Sequence, residues 1–361
     1  MATGTIRVGS RKSQLALIQS NHVAELLKKE YPNMEFEIVS MTTVGDKILD
    51  VALSKIGEKS LFTKELERAL QDDKVDIVVH SLKDLPTELP PGMTVAAVLK
   101  RDSPYDAVVL HTKHKGKKLS DLPDNSVVGT SSLRRIAQLK KAYPKLDFQD
   151  IRGNLNTRLK KLDEGNIYDA IVLAEAGLVR MGWSHRISHV LETDICMYAV
   201  SQGALAVECR SEDTRIIDLL SVLHDEDTLL RCIAERSLLS TLEGGCSVPI
   251  AVHTTVDKEI HQLVMKCGIF SLDGSECAVR ETYVQIEDEE EEPSPKKLCP
   301  TREFASVVAK NIRQKSLRAA DELGKKCAEL LREIGGQAIL TKAKNQTAET
   351  VVGMPIKNEQ S

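Results

Sequence analysis

Aromatic residues are scarce: one Trp, six Tyr and five Phe make up 3% of the 361 residues. So small a set leaves little for the base-stacking platforms of single-strand nucleic-acid binders. An excess of charge is missing too. The net charge of -4 gives no general attraction to nucleic acid or to an anionic membrane. No apolar run approaches the roughly 18 residues of a membrane span. The opening MATGTIRVGS enters a strand pattern at once, without the charged and apolar regions of a secretory signal. The eight cysteines stand singly, with no C-x-x-C pair, which argues against a metal site of local spacing and against a disulfide framework. Neither a Walker A nor a G-x-G-x-x-G loop occurs. The expectation is a reduced, cytoplasmic, monomeric globular protein with no metal, no nucleic-acid partner and no membrane partner.

What is there is ordinary core material, 42% hydrophobic and 28% charged residues, in a length that suits two or three domains. An internal echo organises it. RVGSR at 7–11 and VVGTSSLRR at 127–135 each run from a β-branched stretch through glycine and hydroxyl residues into basic residues that open a helical pattern. KKEYPNMEFEI at 28–38 and KKAYPKLDFQDI at 140–151 close those helices at proline and start a strand. VDIVVHSLKDL at 75–85 parallels YDAIVLAEAGL at 168–178. Two tandem β-α-β units with parallel, doubly covered strands are expected, the second inserted into the first between Arg101 and the returning YAVSQGALAVECR. From Asp225 the character changes. DEDTLLRCIAERSLLSTL reads as a helix with Leu229, Leu230, Ile233, Leu238 and Leu239 for its core face, followed by strands and a turn at SLDGS. IEDEEEEPSPKKL at 286–298 reads as a disordered acidic insert, ADELGKKCAELLREIGG as a last helix with a glycine cap, and the polar tail from about Thr341 as frayed.

Three constellations carry candidate chemistry. Arg11, Lys12 and Ser13 follow the first strand; Thr130, Ser131 and Ser132 precede Arg134 and Arg135; Arg152, Arg158 and Arg180 follow later strands. Guanidinium forks and free N–H groups at the carboxyl ends of strands suit a ligand with several negative charges, carboxylates or phosphates alike, although surface arginine is the plainer reading of each one alone. In HSLKDLP a buried strand delivers Ser81, Lys83 and Asp84 to a loop stopped by Pro86. Asp84 there could accept N–H groups, balance positive charge or move a proton, or simply cap or pair with its neighbour. Cys246 sits in LEGGCSVPIA, beside a glycine pair where the chain bends. Buried, inert cysteine is the commoner state, and no histidine is adjacent in sequence to act as a base.

In order along the chain, VGSRKSQLALIQ, GDKILD, KSLFTKELE, VHSLKDLPT, VVGTSSLRR, IRGNLNTRL, LAEAGLVRMGW and LEGGCSVPIA are similar to the motifs of the porphobilinogen deaminases, also called hydroxymethylbilane synthases. The resemblance spans residues 5 to about 285 and resumes weakly in the last helix. It implies a transferase that joins four porphobilinogen molecules head to tail into the linear tetrapyrrole hydroxymethylbilane, releasing ammonia at each addition, in tetrapyrrole and heme biosynthesis. It implies a dipyrromethane cofactor held by a thioether to Cys246, which would be an anchor and not a turnover nucleophile. The implied fold is α/β with three domains. Residues 1–101 plus 201–224 and residues 102–200 would form two lobes like those of type II periplasmic binding proteins. Residues 225–361 would form a small α+β domain bearing the cysteine loop.

By the same resemblance Asp84 would be catalytic. Arg11, Ser13, Ser81, Lys83, Thr130, Ser131, Arg134, Arg135, Arg152, Arg158, Arg180 and Gln202 would bind the acetate and propionate groups or the reacting pyrroles. Arginine suits this task better than lysine because its fork matches a carboxylate. Phe62 would be a lid residue behind a mobile loop GDKILDVALSKIGEKS. The chain departs from the family at VSQGA, where Ser201 stands in place of a glycine; a positive φ there would strain serine. Two other readings compete. A two-lobed anion binder would need neither KDLP nor GGC, and a thiol hydrolase or redox enzyme lacks an obvious base or a C-x-x-C pair.

Overall fold

The computed structural model describes residues 4–43, 63–242, 248–286 and 304–352. Phe62, Cys246, the anticipated lid and all of the acidic insert but Ile286 lie outside them.

Strands β1 (Gly4–Arg11), β2 (Met34–Met41), β3 (Ile77–Ser81), β4 (Met93–Val98) and β10 (Leu205–Arg210) form a sheet in the order β2-β1-β3-β10-β4. Strands β5 (Asp106–Leu110), β6 (Val127–Gly129), β7 (Asp147–Gln149), β8 (Ala170–Ala174) and β9 (His189–Val190) form another in the order β7-β6-β8-β5-β9. The two orders superpose when β6, β7, β8, β5 and β9 replace β1, β2, β3, β10 and β4, so the sequence echo is an architectural repeat. The helices are α1 (Gln14–Glu30), α2 (Lys64–Gln71), α3 (Leu133–Ala142), α4 (Leu155–Glu164), α5 (Glu175–Arg180), α6 (Thr214–Leu220), α7 (Glu226–Thr241), α8 (Gln314–Glu333) and α9 (Gly336–Val352). α1 and α3 end at Tyr31 and Tyr143, each followed by the expected proline.

Wholly parallel sheets were expected, and each sheet is mixed. β10 runs antiparallel to β3 and β4, and β5 antiparallel to β8 and β9. Each of these strands arrives directly from the other lobe and needs no crossover helix. Both are buried almost end to end, so their apolar runs read like parallel strands.

The third unit is the antiparallel meander β11 (Ile250–Asp257), β12 (Gln262–Phe270) and β13 (Cys277–Gln285), covered by α7, α8 and α9. Asp225 caps α7 by accepting from Thr228 N at 2.9 Å. α7 is buried nearly all round, including the five expected core residues. α8 buries one face, Leu317, Ala320, Leu323, Gly324, Cys327, Ala328 and Leu331. Gly324 is needed where the helices touch: a Cβ there would stand 2.2 Å from Ala234 O. Gly335, at φ +87, caps α8 as expected. The frayed tail is corrected: Gly336–Val352 is a further helix, pinned by buried Leu340 and Ala343 despite its polar composition.

One apolar core runs from Leu82, Leu85, Val95 and Val98 of the first lobe through Leu229, Ile233 and Leu238 to Ile269, Leu323 and Leu331. Polar contacts fasten the crossings between lobes to it. Glu235 of α7 takes two bonds from Arg101, at 2.7 and 3.0 Å, one from Ser201 N at 2.6 Å and one from Thr254 Oγ1 at 2.6 Å. Ser201 adopts φ +62, the left-handed conformation in which its substitution for glycine is strained, and its buried hydroxyl has the Cys232 thiol as its neighbour. Cys196, Cys209, Cys232, Cys267 and Cys327 are buried free thiols, while Cys277 is free and exposed.

Candidate active site

The candidate residues gather at the carboxyl ends of the parallel strands. β1 ends at Arg11, which is partly buried, and Ser13 then caps α1 by accepting from Ala16 N at 3.4 Å. β3 ends at Ser81, whose Oγ accepts from Gln19 Nε2 at 3.0 Å. It continues into the tight turn Leu82–Asp84, anchored by Leu82 N to Ala204 O at 3.0 Å and Leu85 N to Leu82 O at 3.2 Å. This turn buries Leu82 and Leu85 and leaves Asp84 exposed. Among the described residues, the Asp84 carboxylate makes no hydrogen bond or ion pair, including with Lys83.

Arg134 and Arg135 open α3 and are buried, not splayed into open solvent. Asp106, at the head of β5, holds both. Arg134 Nη1 donates to Asp106 Oδ2 at 2.7 Å and to Met197 O at 2.6 Å. Arg135 donates to Asp106 Oδ1 through Nη2 at 2.7 Å and Nε at 3.0 Å, and to Val172 O at 2.9 Å. Gln202 Nε2 donates to the same Oδ1 at 2.9 Å, and its Oε1 accepts from Lys83 Nζ at 3.4 Å. The crossing residue Gln202 thus links Lys83 of one lobe to the arginine pair of the other. Burial opposes the charge on Asp106, but the two guanidiniums outweigh it and hold the carboxyl far below its usual range. Burial pulls Lys83 down to about 8, opposed by Asp84 and Asp106 and reinforced by Arg135 and Arg134. Burial likewise pulls Arg158 down to about 10, with Arg135 adding to it and Asp150 and Asp84 opposing. Asp84 and Arg158, from different lobes, therefore sense each other's charge.

The other candidates line or fasten the second lobe. Thr130 Oγ1 accepts from Ser132 N at 3.3 Å, and Ser131 Oγ donates to Ile151 O at 2.7 Å. Arg152 pairs with Asp150, its Nε donating at 2.7 Å, and Arg158 Nε donates to Gly153 O at 2.8 Å. Arg180 reaches back to the crossings, pairing with Asp102 at 2.8 Å and donating to Gly203 O at 2.6 Å. Asn156 Nδ2 donates to Gln14 Oε1 at 2.9 Å, joining the lobes. Sequence reasoning did not find Asp106, Asp102, Asp150 or Arg101. The one local signal was an aspartate heading the apolar strand DAVVL.

This donor set fits a chain of carboxylate-bearing pyrroles. Lys83 lies in the field of Arg134 and Arg135, and Arg158 in that of Arg135, and among the described residues the buried Arg134 Nε has no partner. Among the described residues no group of acids, histidines and cysteines could hold a metal ion, and no helix is long and apolar enough to cross a membrane.

Fold and site define a two-lobed α/β protein with arginines and a lysine grouped around a buried aspartate, joined to a third unit. Residues 6–218 match the family model "Porphobilinogen deaminase, dipyromethane cofactor binding domain" and residues 229–301 match "Porphobilinogen deaminase, C-terminal domain". The porphobilinogen deaminase of Gloeobacter violaceus is 57% identical over 275 residues, 76% of this chain and 83% of that protein. That of a Nostoc species is 45% identical over 339 residues, 94% of each. Among solved structures, the periplasmic VFT2 domain of Bordetella pertussis BvgS (double mutant) aligns with 60% of this chain and 84% of its own, at 16% identity and a TM-score of 0.37. The chain belongs to the porphobilinogen deaminase family. It is a transferase of tetrapyrrole biosynthesis that makes hydroxymethylbilane from porphobilinogen, and its cofactor is dipyrromethane.

Proposed function

We propose that Asp84 is the catalytic carboxylate of this chain, that Cys246 anchors the dipyrromethane, and that the cations around Asp106 receive the acetate and propionate groups. When bound, the dipyrromethane would supply the nucleophilic pyrrole carbon to which the first porphobilinogen is joined. Asp84 holds the pyrrole N–H groups, offsets the positive charge that develops as ammonia leaves, and takes up or returns a proton at its carboxylate. Arg135, Arg158 and Lys83 attract carboxylates, with Arg134 adding its charge behind them. Asp106 and Gln202 fix the arginines and the lysine so that little reorganisation accompanies binding. Arg11, Ser13, Ser81, Thr130, Ser131, Arg152 and Arg180 complete or brace the walls.

The three sheets support domains at 1–101 plus 201–224, 102–200 and 225–361. A monomer in the cytoplasm is the proposed working form. The free thiols among the described residues and the small number of exposed large apolar side chains there, Ile167, Val179, Val222, Ile260 and Tyr283, support it.

The observation that carries the Asp84 reading is a carboxylate with no hydrogen-bonded partner among the described residues, beside Lys83 and close enough to Arg158 to act on its charge. Asp84→Asn is expected to fold normally and to lose at least ~10²-fold in turnover, the low end of acid–base and electrostatic contributions. Steady-state assays of holoenzyme check this; turnover near that of the parent removes Asp84 from the chemistry.

A further inference from the structure

Arg236 heads the fully buried side chains by size, 1% exposed, and among the described residues no carboxylate pairs with it. Among the described residues its guanidinium donates only to main-chain carbonyls. Nη2 reaches Pro86 O at 2.7 Å and Ala305 O at 3.0 Å, Nε reaches Ala305 O at 3.2 Å, and Nη1 makes a long contact to Leu85 O at 3.4 Å. Burying a cation without a counter-ion costs several kcal/mol, and burial draws its proton affinity down to about 10. An apolar side chain would fill the space at lower cost, unless those carbonyls must be held.

Leu85 and Pro86 directly follow Asp84. The strap Phe304–Val308 holds the next residues. Ser306 Oγ donates to Thr87 O at 3.2 Å and accepts from Leu89 N at 3.2 Å, while Ser306 O accepts from Val95 N at 2.9 Å. Val308 N returns to Val95 O at 2.9 Å. Ala305 and Ser306 adopt φ +49 and +62, so the strap keeps a backbone conformation that such residues seldom take. α7, which carries Arg236, ends at Thr241, five residues before Cys246 in sequence.

We propose that Arg236 is a positioning residue for Asp84. It clamps the exit of the Lys83–Asp84 turn to α7 and to the strap, so the element that leads into the cofactor loop also sets where the catalytic carboxylate stands. The proposal rests on the Asp84 reading above. A displacement of about 1 Å at a reacting group costs on the order of 10²-fold in rate, and the clamp acts on the two residues after Asp84.

The test compares holoenzymes of Arg236→Met, Arg236→Lys, Ser306→Ala and Asp84→Asn. It reads kcat and KM separately, together with amide hydrogen exchange of Leu85, Thr87, Glu88 and Leu89. Arg236→Met is expected to lower kcat by ~10- to 10²-fold with KM within about 3-fold, and to speed exchange at those amides more than in β3. Arg236→Lys recovers part of the loss, and Ser306→Ala loses roughly 3-fold. A kcat per folded holoenzyme unchanged in Arg236→Met, or in both Arg236→Lys and Ser306→Ala if the methionine variant does not fold, overturns the proposal while an inactive Asp84→Asn leaves the Asp84 reading standing. Full turnover in Asp84→Asn overturns both.

Discussion

Asp106→Asn is the perturbation that probes the electrostatic design of the cleft most sharply. The change keeps size and shape and removes one negative charge. In the folded chain Oδ1 receives Arg135 twice and Gln202 once, and Oδ2 receives Arg134. An asparagine offers one oxygen to these donors and turns an N–H group toward at least one of them. Both guanidiniums would then be buried without their shared counter-ion. Breaking a buried pair from one side costs about 3–5 kcal/mol, a large part of the roughly 5–15 kcal/mol that keeps a domain folded. Denaturation midpoints of cofactor-free protein, made in a Cys246→Ala background, measure the loss. The same pair of measurements on holoprotein should give a smaller loss, because the pyrrole carboxylates supply negative charge to the same cations. A loss below about 1 kcal/mol in the cofactor-free chain would refute Asp106 as the counter-ion on which the pair depends. Equal losses with and without cofactor would refute the placement of carboxylates beside Arg134 and Arg135.

Other outcomes follow from single residues. Lys83 gives up its proton near pH 8 when folded, below its ordinary 10.5. Between those values the unfolded chain holds a proton that the folded chain has lost, so this lysine makes stability rise with pH across the window. Urea midpoints of the cofactor-free protein taken through that range should show the rise, and Lys83→Met should flatten it; an unchanged slope would contradict the buried-lysine account. Ser201→Gly should raise the thermal midpoint, by about 1 kcal/mol in stability, because it relieves a left-handed serine, less the extra chain entropy of glycine and a weak contact with the Cys232 thiol. A lowered midpoint would mean that the serine makes a contact worth more than its strain.

The local units were readable because each is written locally. Strand, glycine, hydroxyl and basic helix start occur twice within RVGSR and VVGTSSLRR, and the proline stops fall where the helices end. Strand direction was not readable: DAVVL and LAVECR are continuous apolar runs that suit a buried strand of either sense. The arginine pair was visible but its neutralisation was not, since Asp106 lies 28 residues upstream of Arg134 and meets it only once the second lobe's sheet has formed. Glu235 and Arg101, 134 residues apart, are joined at the crossings between lobes. The last helix escaped notice because its burial rests on a few apolar positions, Leu340 and Ala343 among them, within a polar segment. Ser201 is the reverse case. One substitution in a known motif pointed to a backbone conformation, and the folded chain adopts it.

The claim on which the rest depends is the covalent primer at Cys246, and intact-mass spectrometry of the purified protein addresses it directly. The expected result is a mass exceeding that of the bare chain by two linked pyrrole units, with the addition absent from Cys246→Ala. A catalytically active protein of bare-chain mass, or the same addition retained in Cys246→Ala, would contradict it.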